Sequence, residues 1–361
     1  VALPACDILD VNNPNNLTEE SIDAATAAAA LVNGAVAANW RGISTVWLGY
    51  LVATDEIVWI GSRDAWGQLD QGFVANPANE FTDAAFPLIT QARWLADRAV
   101  TTVDGHVANT PTTALKTEQA RAYLMAGLIY TVIGEVQEDF VFGDKQEADP
   151  AIGPAKMSTV LDQAIQTLDK AVTIATEVNN AELLNRALAI RARAKHSRAI
   201  WDKVKPNVNT AQPLVSSAGA SADANTVLSR VPATWRYQMA FSSATLSNYM
   251  ASEINSRGEQ QFDTTSIIQV NRAAPKTILG VKLQDPIAAA PDPRILAFLQ
   301  EWKASTNIGV AGPIYSPLTL TSATHMRLIL AEDELSKGNT AGFTTHINAV
   351  RTLNGLPPYS G

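Results

Sequence analysis

Hydrophobic side chains recur every three or four residues in several long stretches of the chain, and this period predicts α-helices. The clearest case is 156–180, where apolar residues form one stripe and polar residues occupy the opposite face. The stretch 181–205 follows after only two asparagines, which predicts an antiparallel helical hairpin. Further hairpins are predicted over 82–136 and 322–353.

Two of the predicted helices contain similar segments. Arg121-Ala122-Tyr123-Leu124 and Arg186-Ala187-Leu188-Ala189 lie 65 positions apart, close to twice the roughly 34-residue tetratricopeptide period. Together with the short-turned hairpins, this spacing favours a helical-repeat scaffold, and an irregular all-α domain is the alternative. An alanine-rich run over 24–38 predicts another helix, with Gly34 as a potential break.

The region from about 205 to 317 has a different character. It is rich in proline and in Ser, Asn and Thr, and it contains short β-like runs at 266–270 and 277–283. We expect an all-α fold of tetratricopeptide-like helical hairpins, with a loop-rich insertion region and a minor β element. The expected organisation is an N-terminal tether over 1–16 and a single helical domain over 17–361, whose loop-rich region at about 205–317 is expected to bind the ligand, since long loops in a compact domain are usually functional.

Composition narrows the class of protein. The 361 residues are 47% hydrophobic and 17% charged, which is typical of a chain with a sizeable core. The net charge of −8 argues against nucleic-acid binding, because phosphate recognition needs a basic face. No apolar run is long enough to predict a membrane-spanning helix.

Cys6 is the only cysteine, so an internal disulfide and a multi-cysteine metal site are excluded. The tetrapeptide Leu3-Pro4-Ala5-Cys6 resembles a bacterial lipobox, in which Cys6 would carry the lipid. The alternative is that Cys6 is a small buried thiol.

Catalytic chemistry has little support in the sequence. The four histidines form no HExxH pair, and no phosphate-binding loop, nucleophile elbow or dinucleotide motif occurs. No pair of carboxylates has a spacing that suggests acid–base work. We therefore predict a binding protein without a cofactor, rather than an enzyme.

Ligand binding has better support. Sugars are commonly bound by flat aromatic rings flanked by polar side chains, since a rigid ring gives large contact area at low entropy cost. The segment 59–68 (WIGSRDAWGQ) has that composition and is expected to form a loop. The candidate ligand-binding residues are Trp59, Arg63, Asp64, Trp66, Trp235, Tyr237 and Tyr315. For each aromatic residue the alternative is core packing, and exposure of the tryptophan rings would distinguish the two.

The C-terminal stretch HMRLILAE (325–332), followed by Gly338-Asn339, INAVR (347–351) and Gly355-Leu356-Pro357, resembles the C-terminal hairpin of the SusD/RagB family. Cys6-Asp7, Ala53-Thr54-Asp55-Glu56 and Asp292-Pro293-Arg294 also resemble family patterns in the expected order.

The resemblance implies a surface-exposed lipoprotein of the outer membrane, anchored through Cys6. It also implies that the protein binds nutrients as the lid of a SusC-like, TonB-dependent β-barrel transporter. The ligand would be a glycan or a peptide, and the acidic chain favours a neutral oligosaccharide. The competing interpretation is a tetratricopeptide-like scaffold that binds only proteins.

Overall fold

A computed structural model describes residues 19–143, 149–204, 212–262, 267–269, 278–295, 297 and 314–361. The predicted tether over 1–16 and its Cys6 lie outside the described residues. The helices are α1 (Glu19–Ile22), α2 (Ala28–Ala53), α3 (Asp64–Asp70), α4 (Glu80–Asn109), α5 (Thr113–Val136), α6 (Ser158–Glu177), α7 (Ala181–Val204), α8 (Ala218–Leu228), α9 (Tyr249–Ala251), α10 (Ala323–Ser336) and α11 (Thr340–Leu353). A π-helical turn over Ser252–Arg257 continues α9.

The long helices pair as the hydrophobic period predicts. Helices α4 and α5, α6 and α7, and α10 and α11 form the three expected hairpins, and α2 packs against α4 and α5. Polar residues fix where helices begin: the side chain of Asn79 accepts a hydrogen bond from the backbone N–H of Phe81, and that of Thr112 accepts one from Leu115. Gly34 does not break α2.

Glycines on α5 allow α6 to approach closely. A Cβ atom built on Gly134 would lie 2.6 Å from Cγ of Leu161, and one built on Gly127 would overlap the side chain of Leu168. Both leucines are buried. The two leucines therefore fill the space that side chains would otherwise occupy on the facing helix.

Short strands complete the fold: β1 (Ile57–Trp59), β2 (Arg236–Met239), β3 (Gln260–Phe262), β4 (Ile267–Gln269), β5 (Ile278–Val281), β6 (Gln284–Asp285), β7 (Ala290–Pro291) and β8 (Leu318–Ser322). They form antiparallel pairs β1–β3, β2–β8, β4–β5 and β6–β7. The pair β4–β5 occurs where the sequence predicted β-like runs. In β2, Tyr237 and Met239 face the core while Arg236 is exposed.

A buried ion pair joins the loop-rich region to the C-terminal hairpin. Arg351 of α11 donates two hydrogen bonds to Asp285 of β6, at 2.8 and 2.9 Å. The Arg351 side chain and the backbone N–H groups of Ala288 and Ile287 hold the pKa of Asp285 well below its ordinary value. Arg351 belongs to the C-terminal motif of the sequence, so this motif fastens the hairpin to a distant segment.

Candidate functional site

The segment 59–68 is not the loop that its glycines suggested, because it contains the end of β1 and the start of α3. Its two glycines serve close packing. A Cβ atom on Gly67 would lie 2.8 Å from the Trp59 ring, and one on Gly61 would overlap the carboxylate of Glu259. The segment is therefore a packed strand-to-helix junction.

The aromatic rings of this junction face inward. Trp66 is only 1% exposed, and its ring stacks on Phe81 with centroids 3.6 Å apart and an interplanar angle of 11°. Trp59 is partly buried against the same core. For Trp66 the geometry is that of core packing, which the sequence left open as the alternative to ligand binding.

Arg63 and Asp64 line an open groove of about 530 Å³, together with Ser62, Ala65, Gln68, Ala78 and Glu80. We call it the Arg63 groove. Arg63 stacks over Phe81, with its guanidinium carbon 4.4 Å from the ring centroid, and pairs with Glu80 at 3.2 Å. The lining contains no aromatic side chain, so the groove offers polar groups without a flat apolar surface.

Two buried glutamates lie behind the Arg63 groove. The Glu259 carboxylate accepts hydrogen bonds from the backbone N–H groups of Ser62 and Arg63, both at 3.1 Å. Burial acts to raise the pKa of Glu259, but the hydrogen bonds from the Arg63 and Ser62 backbones and from the Ser62 hydroxyl outweigh it and lower the pKa. Glu253, in the π-helical turn, is fully buried, and its loose ion pairs with Arg257 and Arg63 span 3.4 and 3.8 Å. Burial raises the pKa of Glu253 above its ordinary value.

A second concave site lies where α2, α5, α7 and β2 meet, and we call it the Tyr237 cavity. Its volume is about 450 Å³. Its lining residues are Val36, Trp40, Arg121, Leu124, Met125, Asn180, Glu182, Leu183, Arg186, Tyr237, Gln238 and Ala240. The lining combines two largely buried aromatic rings (Trp40 is 8% exposed and Tyr237 4%), a buried apolar wall, two arginines and several polar groups.

The aromatic and cationic side chains of the Tyr237 cavity are in contact. The rings of Trp40 and Tyr237 meet edge to face, with centroids 6.5 Å apart. The guanidinium carbon of Arg186 lies 4.9 Å from the Tyr237 ring centroid. Burial raises the pKa of the Tyr237 phenol above its ordinary value, and the charges of Arg186 and Arg121 oppose the shift. Both arginines therefore act electrostatically on the same ring.

The two other aromatic candidates lie apart from this lining. Trp235 is partly buried between two hydrophobic clusters, and its backbone carbonyl accepts a hydrogen bond from Ala323 N at 3.0 Å. Tyr315 is partly buried against the main core. Of the seven candidates, the structure groups Trp59, Arg63, Asp64 and Trp66 at one junction and places Tyr237 in the second site.

Three prominent residues of the Tyr237 cavity were not candidates at the level of sequence. Trp40 falls within the apolar pattern of α2 and carries no local signal of its own. Arg121 and Arg186 did carry one, because they occupy corresponding places in the two similar helical segments. Corresponding positions of stacked hairpins share one face of the scaffold, and here that face lines a cavity.

Comparison with known proteins identifies the fold. No protein-family model and no curated protein matches this sequence. A solved structure matches the fold: the 1.55 Å crystal structure of a SusD superfamily protein from Bacteroides vulgatus superposes on this structure with a TM-score of 0.53. The match covers 91% of this chain and 80% of that chain at 12% sequence identity. The all-α, SusD-like fold predicted from the sequence is thus confirmed.

Proposed function

We propose that this chain, which has the fold of the SusD superfamily, is a nutrient-binding protein that takes up an oligosaccharide in the Tyr237 cavity. One observation carries the proposal: in a scaffold of this fold, two arginines and several polar side chains line one concave site beside two largely buried aromatic rings. Its volume of about 450 Å³ lies within the range of roughly 300–1,000 Å³ that small-molecule sites occupy.

The remaining parts of the proposal rest on the likeness of fold and sequence. The protein would be anchored to the outer membrane through lipidated Cys6, exposed at the cell surface, and would cover a SusC-like TonB-dependent transporter. Among the described residues, no helix is both long and apolar enough to cross a bilayer.

Calorimetric titration with a panel of neutral and acidic oligosaccharides tests the ligand site. Val36→Phe adds a ring within the Tyr237 cavity and should abolish binding. Ala37→Phe is the matched control, because it adds the same ring to an exposed position of α2 outside the lining. Equal binding by both variants would place the ligand elsewhere. Binding of extended peptides but of no sugar would favour the protein-binding scaffold.

A mild-detergent pull-down from native outer membranes tests the partner and the anchor. We expect a large β-barrel partner, and a lipid on Cys6 in mass spectra of the N-terminus. Cys6→Ser should release the protein from membranes. Unchanged membrane association of this variant would contradict the lipid anchor, whereas recovery without a barrel would contradict the role as a lid.

A further inference from the structure

We propose that the Tyr237 cavity binds a carboxylate of its sugar ligand, so that the preferred ligand is an oligosaccharide containing a uronic acid. This inference rests on the proposed function, since it names the substrate class of the same site. The acidic net charge of the chain favours neutral glycans at the level of sequence, but the unengaged Nη groups of Arg186 in this cavity favour a carboxylate.

Arg186 has the geometry of a carboxylate-binding residue. Its Nε donates to Oε1 of Glu182 at 2.8 Å, an i,i+4 ion pair along α7 that fixes one edge of the guanidinium. Within the described part of the chain, neither of its Nη groups donates a hydrogen bond to the protein. The side chain is 42% exposed and lines the cavity. The pair of Nη groups is the planar fork that binds a carboxylate with two parallel hydrogen bonds.

The second arginine of the cavity is already engaged. Arg121 donates from Nη1 to Oε2 of Glu118 and from Nη2 to Oδ1 of Asn33, both at 2.6 Å. It therefore lacks the open fork of Arg186, and its charge is offset by the carboxylate of Glu118. Arg186 is thus the arginine of this cavity whose Nη groups are available to a ligand carboxylate.

The surroundings of Arg186 strengthen an interaction with an anion. Tyr237 lies under the guanidinium, and Leu124, Met125 and Leu183 form an apolar wall. A charge-assisted hydrogen bond is stronger beside such a wall than in open water. Asn180 and Glu182, which also line the cavity, offer hydrogen-bonding groups to the hydroxyl groups of a sugar. A peptide with an apolar last residue would leave those polar groups without partners.

Trigalacturonate and its fully methyl-esterified form are the matched probes, because they differ only at the carboxyl groups, where the ester replaces each charge with a methyl group. By titration calorimetry we expect the wild-type chain to bind the acid about tenfold or more tightly than the ester, as a bidentate charged pair allows. Arg186→Met should remove the preference, and Arg186→Lys should restore only part of it. Arg198→Met, on the same helix but outside the cavity lining, should keep it.

The outcomes separate this inference from the proposed function. Equal affinity of the wild-type chain for acid and ester would overturn the inference and leave sugar binding intact. A preference for the acid that persists in Arg186→Met would also overturn it, since the carboxylate would then be bound by other residues. Failure of every oligosaccharide would overturn the proposed function. Binding of a peptide with a free C-terminal carboxylate, but not of its amide, would mean that the bound carboxylate belongs to a protein partner, and it would overturn the assignment of a uronic acid.

Discussion

At the scale of single residues, burial changes the meaning of the most conspicuous sequence feature. A tryptophan between glycines suggests an exposed ring, yet Trp66 is stacked on Phe81 inside the core. The glycines are present because neighbouring groups need the space, with Trp59 against Gly67 and Glu259 against Gly61. Local composition does not distinguish a loop that offers a ring to a ligand from a junction that buries one.

Trp66→Ala should therefore reduce the free energy of unfolding by about 3–5 kcal/mol, the usual cost of truncating a buried aromatic residue. Urea denaturation measures the change. Tyr50→Ala is the matched control: Tyr50 is 53% exposed, so we expect a change within about 0.5 kcal/mol. A similarly small loss for Trp66 would mean that its ring is not packed as described.

The burial of Glu253 predicts that the stability of the protein depends on pH. Its pKa is raised by burial, so the folded state holds this proton more tightly than the unfolded chain does. Its contribution to stability therefore falls as pH rises from the ordinary glutamate value of 4.5 through the raised pKa. Glu253→Gln should raise the Tm most at neutral pH, and the gain should shrink toward pH 4.5.

The control for Glu253→Gln is Glu80→Gln, which neutralises the exposed partner of Arg63. Thermal denaturation from pH 4.5 to 8 should show no pH-dependent gain for the control. A Tm gain for Glu253→Gln that is independent of pH would contradict a titrating buried carboxyl.

At the scale of elements, the period of apolar residues was sufficient to predict the helical hairpins. Residues 156–180 and 181–205 contain α6 and α7, because a one-sided apolar stripe can be buried by packing two helices side by side. The Tyr237 cavity could not be predicted in the same way. Its walls come from α2, α5, α7 and β2, and nothing in the order of the sequence relates Trp40 to Tyr237.

The contact between α5 and α6 gives a test at this scale. Gly127→Ala should destabilise the protein by about 1–3 kcal/mol, because a new methyl group would overlap Leu168. Gly34→Ala is the matched control within another helix, where a Cβ atom meets nothing within 4 Å. It should stabilise by roughly 0.5–1 kcal/mol, since alanine favours the helix. Equal effects in urea denaturation would contradict the close approach of α5 and α6.

At the scale of the whole molecule, residues far apart in sequence are tied together by charge. The pair of Asp285 and Arg351 spans 66 positions and is buried. Because the pKa of Asp285 is lowered in the folded state, its stabilising contribution is present above the ordinary aspartate value of 3.8. That contribution is lost as pH falls below this value.

Asp285→Asn should consequently lower the stability of the protein at pH 7, and the difference from the wild type should narrow as pH falls below 3.8. Urea midpoints over this pH range measure the effect. Asp83→Asn, at an exposed position of α4, should change little at any pH. A deficit of Asp285→Asn that stays constant with pH would show that the ionised carboxylate is not what stabilises this contact.

The same ion pair orders events during synthesis of the chain. Asp285 leaves the ribosome well before Arg351, and it has no access to this partner until α11 has emerged. Helices α4 to α7 bury one another's apolar stripes, so they can pack while α11 is still being translated. The hairpin β6–β7 gains its ion pair only after α11 has been made, so a later segment of the chain secures an earlier one.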